Sequence, residues 1–145
     1  MRIFHRSLEI GTLDSIQLHD LTAELRRCVK ESGIGDGFVL VGSPHTTTGI
    51  VVNENEPRLL VDVRRFLEEL APADGEYLHN DIHLRHCPPD EPRNAHSHLL
   101  AILMGHSTVL PIREGELGLG RWQSVFLVEL DGPRTRTVDL QLFGE

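Results

Sequence analysis

The sequence predicts a single α+β domain, a sandwich made mainly of antiparallel β-sheet with two main helices. Its 145 residues fit one domain of ordinary size, and 39% hydrophobic residues are enough to form a core. Two segments carry the apolar spacing of amphipathic helices, whereas most others alternate or form the short apolar runs typical of strands. No repeat or linker divides residues 1–145, so one domain is expected.

The first half of the chain contains one helix and three predicted strands. Residues 2–10 are predicted to be a strand, because apolar and polar side chains alternate towards the end of this segment, at Leu8 and Ile10. Asp20 is a plausible N-cap for a helix that ends at Gly33. After a turn at 35–37, a buried strand is predicted at 38–41 and a strand rich in Thr, Ile and Val at 46–53.

The second half begins with the most strongly amphipathic segment. Pro57 suits the first turn of a helix, and its predicted buried stripe comprises Leu59, Val63, Phe66 and Leu70. Residues 71–75 end this helix, and the proline-containing segment 79–94 is predicted to be a long functional loop. A short helix at 95–104, strands at 109–112 and 117–130, and a final strand around 138–142 complete the order.

The composition of the chain indicates which classes of binding partner are expected. The formal net charge of −8 disfavours nonspecific binding to nucleic acid or to an anionic membrane, so neither partner is expected. An anionic substrate would require a locally basic site. Two cysteines are too few for a disulfide framework. No long apolar segment predicts a membrane span or a signal peptide, and a cytoplasmic location is expected.

The histidines are the most informative residues. Five of the nine lie between His79 and His98, and His45 begins a run of three threonines. Their irregular spacing matches no repeat. Several carboxylates lie nearby in sequence: Glu54, Glu56, Asp62 and Asp81. Because imidazole and carboxylate groups together suit a divalent-metal site or acid–base chemistry, the sequence predicts a polar functional site.

Five motifs follow one another along nearly the whole chain: HTTTGIVVNENEP at 45–57, YLHND at 77–81, NAHSH at 94–98, LGRWQ at 119–123 and DGPRTR at 131–136. Together they resemble the motifs of the YjbQ-like family, some members of which are regarded as secondary thiamine-phosphate synthases. The resemblance implies a compact β-rich α+β fold, a homotrimer, and a divalent metal, zinc or magnesium, near the shared histidines. Three positions depart from the family pattern: His96 replaces an Asp, Ser43 stands where many members carry Cys, and Arg121 replaces a Thr.

The histidines that match the family pattern are His45, His79 and His98. The resemblance implies that they supply three imidazole nitrogens to one metal and leave a position open for water or substrate. The alternative is that each is a hydrogen-bonded structural residue. The additional histidines, His83, His86 and His96, are predicted to be solvated or to support the site from outside.

Three carboxylates are candidate catalytic groups. Glu54 and Asp81 are interpreted as a general base or as ligand carboxylates. Asp62 matches the family pattern as an active-site residue. Its alternative is a solvated position on the helix, paired with Arg58 or Arg65.

A phosphorylated substrate is expected to bind through polar side chains of the same motifs: Thr46, Thr47, Asn94, Trp122, Gln123, Arg134 and Arg136. The threonine hydroxyls suit phosphate oxygens but are also ordinary in a strand. Trp122 is interpreted either as stacking on a heteroaromatic ring or as core. Arg134 and Arg136, two apart on a strand, would project to one side and bind phosphate, unless they form an exposed basic strand or a subunit-interface salt bridge.

Three hypotheses for the function follow. The first is a transferase resembling thiamine-phosphate synthase, which joins a pyrimidine methyl diphosphate to a thiazole phosphate and releases pyrophosphate. The second is a metal-dependent phosphoester hydrolase. The third is a trimeric protein that binds a metabolite or metal without catalysis.

Overall fold

The computed structural model describes all 145 residues, which form one α+β domain with two antiparallel sheets and three α-helices, confirming the predicted fold class. The elements in chain order are β1 (Arg2–Gly11), β2 (Gln17–Asp20), α1 (Thr22–Ser32), β3 (Gly37–Gly42), β4 (Thr48–Asn53), α2 (Pro57–Leu70), α3 (Ala95–Met104), β5 (Ser107–Arg113), β6 (Glu116–Leu117), β7 (Ser124–Glu129) and β8 (Thr135–Gly144). The larger sheet has the order β1-β8-β3-β5-β6 and the smaller one β2-β7-β4. None of the helices has the length and apolarity that crossing a membrane requires.

Strand β7 lies at the centre of the packing because both of its faces are buried. Val125 and Leu127 belong to the core that the smaller sheet shares with the larger sheet and α1. Phe126 and Val128 belong to a second core, under α2 and α3. This two-sided burial explains why β7 is a continuous apolar run without alternation.

Two sequence predictions about the strands were wrong. The predicted strand at 117–130 is two strands in different sheets, because the chain leaves β6 at Leu117 and turns through residues 118–123 before β7. The short strand β2 was not predicted. Asp20, proposed as the N-cap of α1, lies one residue before the observed N-cap Leu21, although its carboxylate still accepts a hydrogen bond from the Thr22 N–H at 2.8 Å.

The predicted buried stripe of α2 is only partly buried. The helix packs on the second core through Leu67, supported by the half-buried Leu60 and Val63. Phe66 and Leu70, by contrast, are 61% and 50% exposed. Together with α3 they leave an open apolar groove of about 420 Å³ on this side of the domain.

The position of α3 depends on close packing against β4. A Cβ atom added to Gly49 would lie 2.6 Å from the Cβ atom of Met104, so this approach requires glycine. The Ile50 N–H also donates to the carbonyl of Gly105, just after α3. The side chains of α3 are therefore held beside the β3–β4 connection, where the histidine-threonine motif lies.

Candidate functional site

A cleft of about 510 Å³ lies between the β3–β4 connection and α3. We call it the histidine cleft; its walls consist of Ser43, Pro44, His45, Thr46, Thr48, His98, Ala101, Ile102, Gly105 and His106. The fold thus brings together two of the predicted histidines, His45 and His98, which are 53 positions apart in sequence. None of the lining residues is acidic, although the whole chain has a formal charge of −8.

The His45 ring is anchored to strand β8. Its Nε2 atom accepts a hydrogen bond from the Thr137 N–H at 2.9 Å. Strand β3 ends its pairing with β8 at Gly42 opposite Asp139, so the imidazole provides an acceptor just beyond the end of this ladder. Burial, followed by the nearby Arg136 cation, lowers the pKa of His45 from its ordinary value of 6.5. Because Nε2 accepts a hydrogen bond, the ring is in its neutral form.

Behind the cleft lies a buried ion pair between Glu129 and Arg136. The carboxylate accepts hydrogen bonds from Arg136 Nε at 2.8 Å and Nη2 at 2.6 Å, and another from Thr12 Oγ1 at 2.8 Å. The N–H groups of Leu130 and Asp131 complete its partners. Burial alone would raise the pKa of Glu129, but the hydrogen bonds from Arg136, Asp131 and Thr12 hold it below its ordinary value.

This ion pair also fixes the threonine segment. Arg136 Nη2 donates to Thr47 Oγ1 at 2.8 Å, and the Thr47 carbonyl accepts from the Leu130 N–H. Thr47 is therefore buried and engaged, whereas its neighbour Thr46 is exposed at the cleft. Of the two threonines proposed to bind phosphate, only Thr46 presents a hydroxyl to the cleft.

His79 lies on the other side of His98. The centroids of the two rings are 4.8 Å apart in an edge-to-face arrangement. Both rings line a second cleft of about 430 Å³ that also includes the apolar side chains of Leu78 and Leu99 and the ring of Tyr77. His98 thus belongs to both clefts. Its own burial, followed by the neighbouring His79, lowers the pKa of His98 below 6.5.

The arrangement within one chain does not fit the three-histidine metal centre that the family resemblance implies. No group of three or more His, Cys, Asp or Glu side chains is placed to hold one metal ion. His79 and His98 adjoin each other, but the outer nitrogen of His45 is already bonded to Thr137. One chain therefore provides at most a pair of imidazoles.

The three candidate catalytic carboxylates lie outside the histidine cleft. Asp62 is exposed on α2, and no salt bridge joins it to Arg58 or Arg65. Asp81 lines a separate polar cleft near Arg93. Glu54 is half-buried in the connection that follows β4. The structure therefore places no carboxylate in position to act on a group bound between His45 and His98.

The predicted arginine pair does not form one phosphate site. Arg134 is exposed just before β8 and pairs with Asp131 at 2.8 Å, whereas Arg136 is 5% exposed and pairs with Glu129. The expectation that both would project to one side was wrong because Arg134 precedes the strand. Asn94 is also engaged, since its amide donates to Asp131 Oδ2 at 2.8 Å.

Trp122 and Gln123 lie on the exposed connection between β6 and β7, away from the histidine cleft. Trp122 is 65% exposed, with the Arg121 guanidinium 4.8 Å from its ring centroid, so its interpretation as core was wrong. Gln123 uses its side-chain oxygen to accept from the Gly120 N–H.

The additional histidines differ from one another. His83 and His86 are exposed, as predicted. His96 is half-buried, and its Nδ1 atom is the one buried side-chain nitrogen or oxygen without a hydrogen-bond partner. Sequence reasoning missed His106, which lines the histidine cleft, and Glu129. A carboxylate inside the apolar run of β7 was the available signal for Glu129, because a buried charge requires a partner.

Comparisons with known proteins agree with this architecture. The sequence matches the model of the family described as UPF0047 protein YjbQ-like over residues 6–145. A relative from Methanothermobacter thermautotrophicus is 39% identical over 145 residues, covering 100% of this chain and 95% of its own. One from Archaeoglobus fulgidus is 41% identical over 131 residues, covering 90% and 94%.

Solved structures extend the likeness to the whole fold. A protein of unknown function from Sulfolobus solfataricus superposes with a TM-score of 0.91 at 35% identity and covers 99% of both chains. A hypothetical protein from Aeropyrum pernix gives 0.89 at 37% identity, with 98% of this chain and 99% of that one covered. The chain belongs to the YjbQ-like, or UPF0047, family.

Proposed function

We propose that the histidine cleft binds the phosphate group of a small cytoplasmic metabolite. The supporting observation is the lining of the cleft. Although the chain has a formal net charge of −8, no carboxylate lines this cleft and three imidazoles do. Of the lining residues, His45 and Thr46 have backbone N–H groups that donate to no acceptor within the chain. Free amide groups, a hydroxyl and imidazole donors are a suitable set for phosphate oxygens.

The finer proposal is a transferase that resembles thiamine-phosphate synthase. Its support is the second cleft, in which Tyr77, Leu78 and Leu99 offer an apolar surface next to the phosphate-binding side. A ring-bearing phosphate ester would place its ring there and its phosphate beside His45. His98, shared by both clefts, would then lie next to the bond between the two parts. A hydrolase with Asp81 or Glu54 as its base receives no such support, because neither residue lies in the histidine cleft.

Titration calorimetry with inorganic phosphate and pyrophosphate tests the binding site. Each lost hydrogen bond to a charged ligand removes about 1.5–3 kcal/mol, so His98→Ala and Thr46→Val should each weaken binding about tenfold or more. His83→Ala is the matched control, since His83 is an exposed histidine outside the cleft. Equal weakening in all three variants, or no binding by the wild type, would exclude this site.

Release of pyrophosphate tests the transferase itself. The wild type should release it from a pyrimidine methyl diphosphate only when a thiazole phosphate is also present. Release without the second substrate would identify a hydrolase instead. Binding without any turnover would support the non-catalytic alternative.

We also propose that the chain forms a homotrimer. Two different apolar surfaces support this: the groove that contains Phe66 and Leu103, and the outer face of the larger sheet, where Phe38 stacks on Phe143 at 5.1 Å. A trimeric ring requires contact between two unlike surfaces of each chain, and these two surfaces supply such a pair. Sedimentation should give three times the chain mass of 16.3 kDa.

Phe66→Glu tests the role of the groove in this assembly. It should dissociate the trimer, because it places a charge in the apolar surface. Val61→Glu, at an exposed position of the same helix outside the groove, should leave the mass unchanged. A wild-type monomer would refute the trimer, and a Phe66→Glu variant of unchanged mass would refute the role of the groove in it.

A further inference from the structure

The hydrogen bond between His45 and Thr137 determines which ring nitrogen of His45 carries the proton. Nε2 accepts from a backbone N–H, so its lone pair is occupied and it bears no hydrogen. A neutral imidazole has one N–H group. The proton of His45 therefore resides on Nδ1, and this nitrogen is a donor.

The donor faces accessible space. His45 Nδ1 has no hydrogen-bond partner within the chain, and His96 Nδ1 is the only buried side-chain nitrogen or oxygen that lacks one. His45 Nδ1 is therefore not enclosed. Because the His45 ring lines the histidine cleft, a bound molecule can reach this N–H.

The ring is held in this state by a rigid support. Thr137 follows Arg136, which is fixed by Glu129 and bonded to Thr47. Both His45 and Thr47 are thus attached to neighbouring residues of β8, on either side of Thr46. Rotation of the imidazole would leave the Thr137 N–H without an acceptor, which disfavours other orientations of the ring.

We propose that His45 is a neutral hydrogen-bond donor to an oxygen of the substrate, through Nδ1–H, and is not a metal ligand. Metal binding at Nδ1 would require the lone pair that the proton occupies in this tautomer, and Nε2 is already engaged. This assignment deepens the proposed function and rests on it for the identity of the ligand. It selects ligands with an acceptor oxygen, such as a phosphate ester.

A matched pair of substitutions separates the two nitrogens. In His45→Asn the side-chain amide takes the place of Nδ1 and keeps a donor, whereas in His45→Gln it reaches the place of Nε2 and keeps an acceptor for Thr137. With inorganic pyrophosphate as the probe, the Asn variant should bind at least tenfold more tightly than the Gln variant. Equal affinities, or tighter binding by the Gln variant, would overturn the donor role.

Nitrogen NMR of histidine-labelled protein tests the tautomer without any ligand. The His45 signals, assigned by their loss in His45→Asn, should show a protonated Nδ1 at pH 7 and should not move when Zn²⁺ is added. A protonated Nε2, or a zinc-induced shift of His45 together with His79 and His98, would overturn the assignment. If the wild type binds neither phosphate nor pyrophosphate, the proposed function fails and the donor role fails with it. The tautomer then still decides separately whether His45 is able to bind a metal.

Discussion

Replacing Arg136 with methionine should destabilise the domain far more than an ordinary substitution of a charged residue. Methionine keeps an unbranched apolar stem but removes two of the five hydrogen bonds that Glu129 accepts. Hydrogen bonds to charged groups contribute about 1.5–3 kcal/mol each. Breaking one partner of a buried ion pair typically costs about 3–5 kcal/mol. The two estimates agree, so we expect the free energy of unfolding to fall by about 3–5 kcal/mol.

Urea unfolding at a fixed protein concentration measures this change, because any self-association makes stability depend on concentration. Arg64→Met is the control, since Arg64 forms an exposed pair with Glu68 that contributes only about 0.3–0.5 kcal/mol. Adding Glu129→Gln to Arg136→Met should recover part of the loss, because it removes the uncompensated charge. A loss below about 1 kcal/mol, or a double variant less stable than Arg136→Met alone, would refute the reasoning.

Four further predictions concern stability and the cleft. Hydrogen bonds lower the pKa of Glu129 in the folded state. The free energy of unfolding should therefore fall as the pH falls from the ordinary carboxyl value of 4.5 through the lower pKa of the folded state. Acid titrations should show that Glu129→Gln flattens this dependence. Gly49→Ala should cost about 1–3 kcal/mol in urea unfolding, because its Cβ atom would press on Met104; an unchanged midpoint would contradict this packing. Thr47→Val should lower stability by about 1–3 kcal/mol by removing a buried hydrogen-bond acceptor. Thr46→Val should leave stability within about 0.5 kcal/mol while weakening phosphate binding, and the reverse pattern would contradict the roles assigned here.

The sequence predicted those parts of the fold that depend on local pattern. The helix from Pro57 and the helix that ends at Gly33 follow from periodicity, a first-turn proline and a left-handed glycine, all of which act within a few residues. The break after β6 was missed because residues 117–130 were predicted to be one strand, although Gly118, Gly120 and Arg121 interrupt the apolar pattern before Val125. Gly118 also lies close to Pro111, where an added Cβ atom would be 2.8 Å from the proline Cγ atom, and the pattern of apolar residues does not encode this tertiary contact.

The candidate site was predictable in its residue types but not in its grouping. His45 and His98 line one cleft because α3 lies close to β4, and Gly49 allows this approach. The sequence did not indicate which threonines and arginines of the motifs would be buried. Thr46 and Thr47 differ in the direction that the folded backbone gives their side chains, and so do Arg134 and Arg136. Burial divides each of these pairs between a residue at the surface and a residue engaged in the Glu129 network.

The buried ion pair between Glu129 and Arg136 is better explained by the geometry of the cleft than by a contribution to the stability of the domain. Replacing a buried salt bridge with a well-packed apolar pair often leaves the stability of a protein unchanged or raises it. The pair of Glu129 and Arg136 therefore adds little to the free energy of unfolding beyond what an apolar pair would add. An apolar pair, however, would leave Thr47 Oγ1 without a donor and would no longer bond the residue next to Thr137 to the threonine segment. The charges attach the segment that carries His45 and Thr46 to β8 through directional bonds, which hydrophobic packing does not provide. On this argument the ion pair orients the cleft, and its loss should disturb the His45 tautomer as well as the stability of the domain.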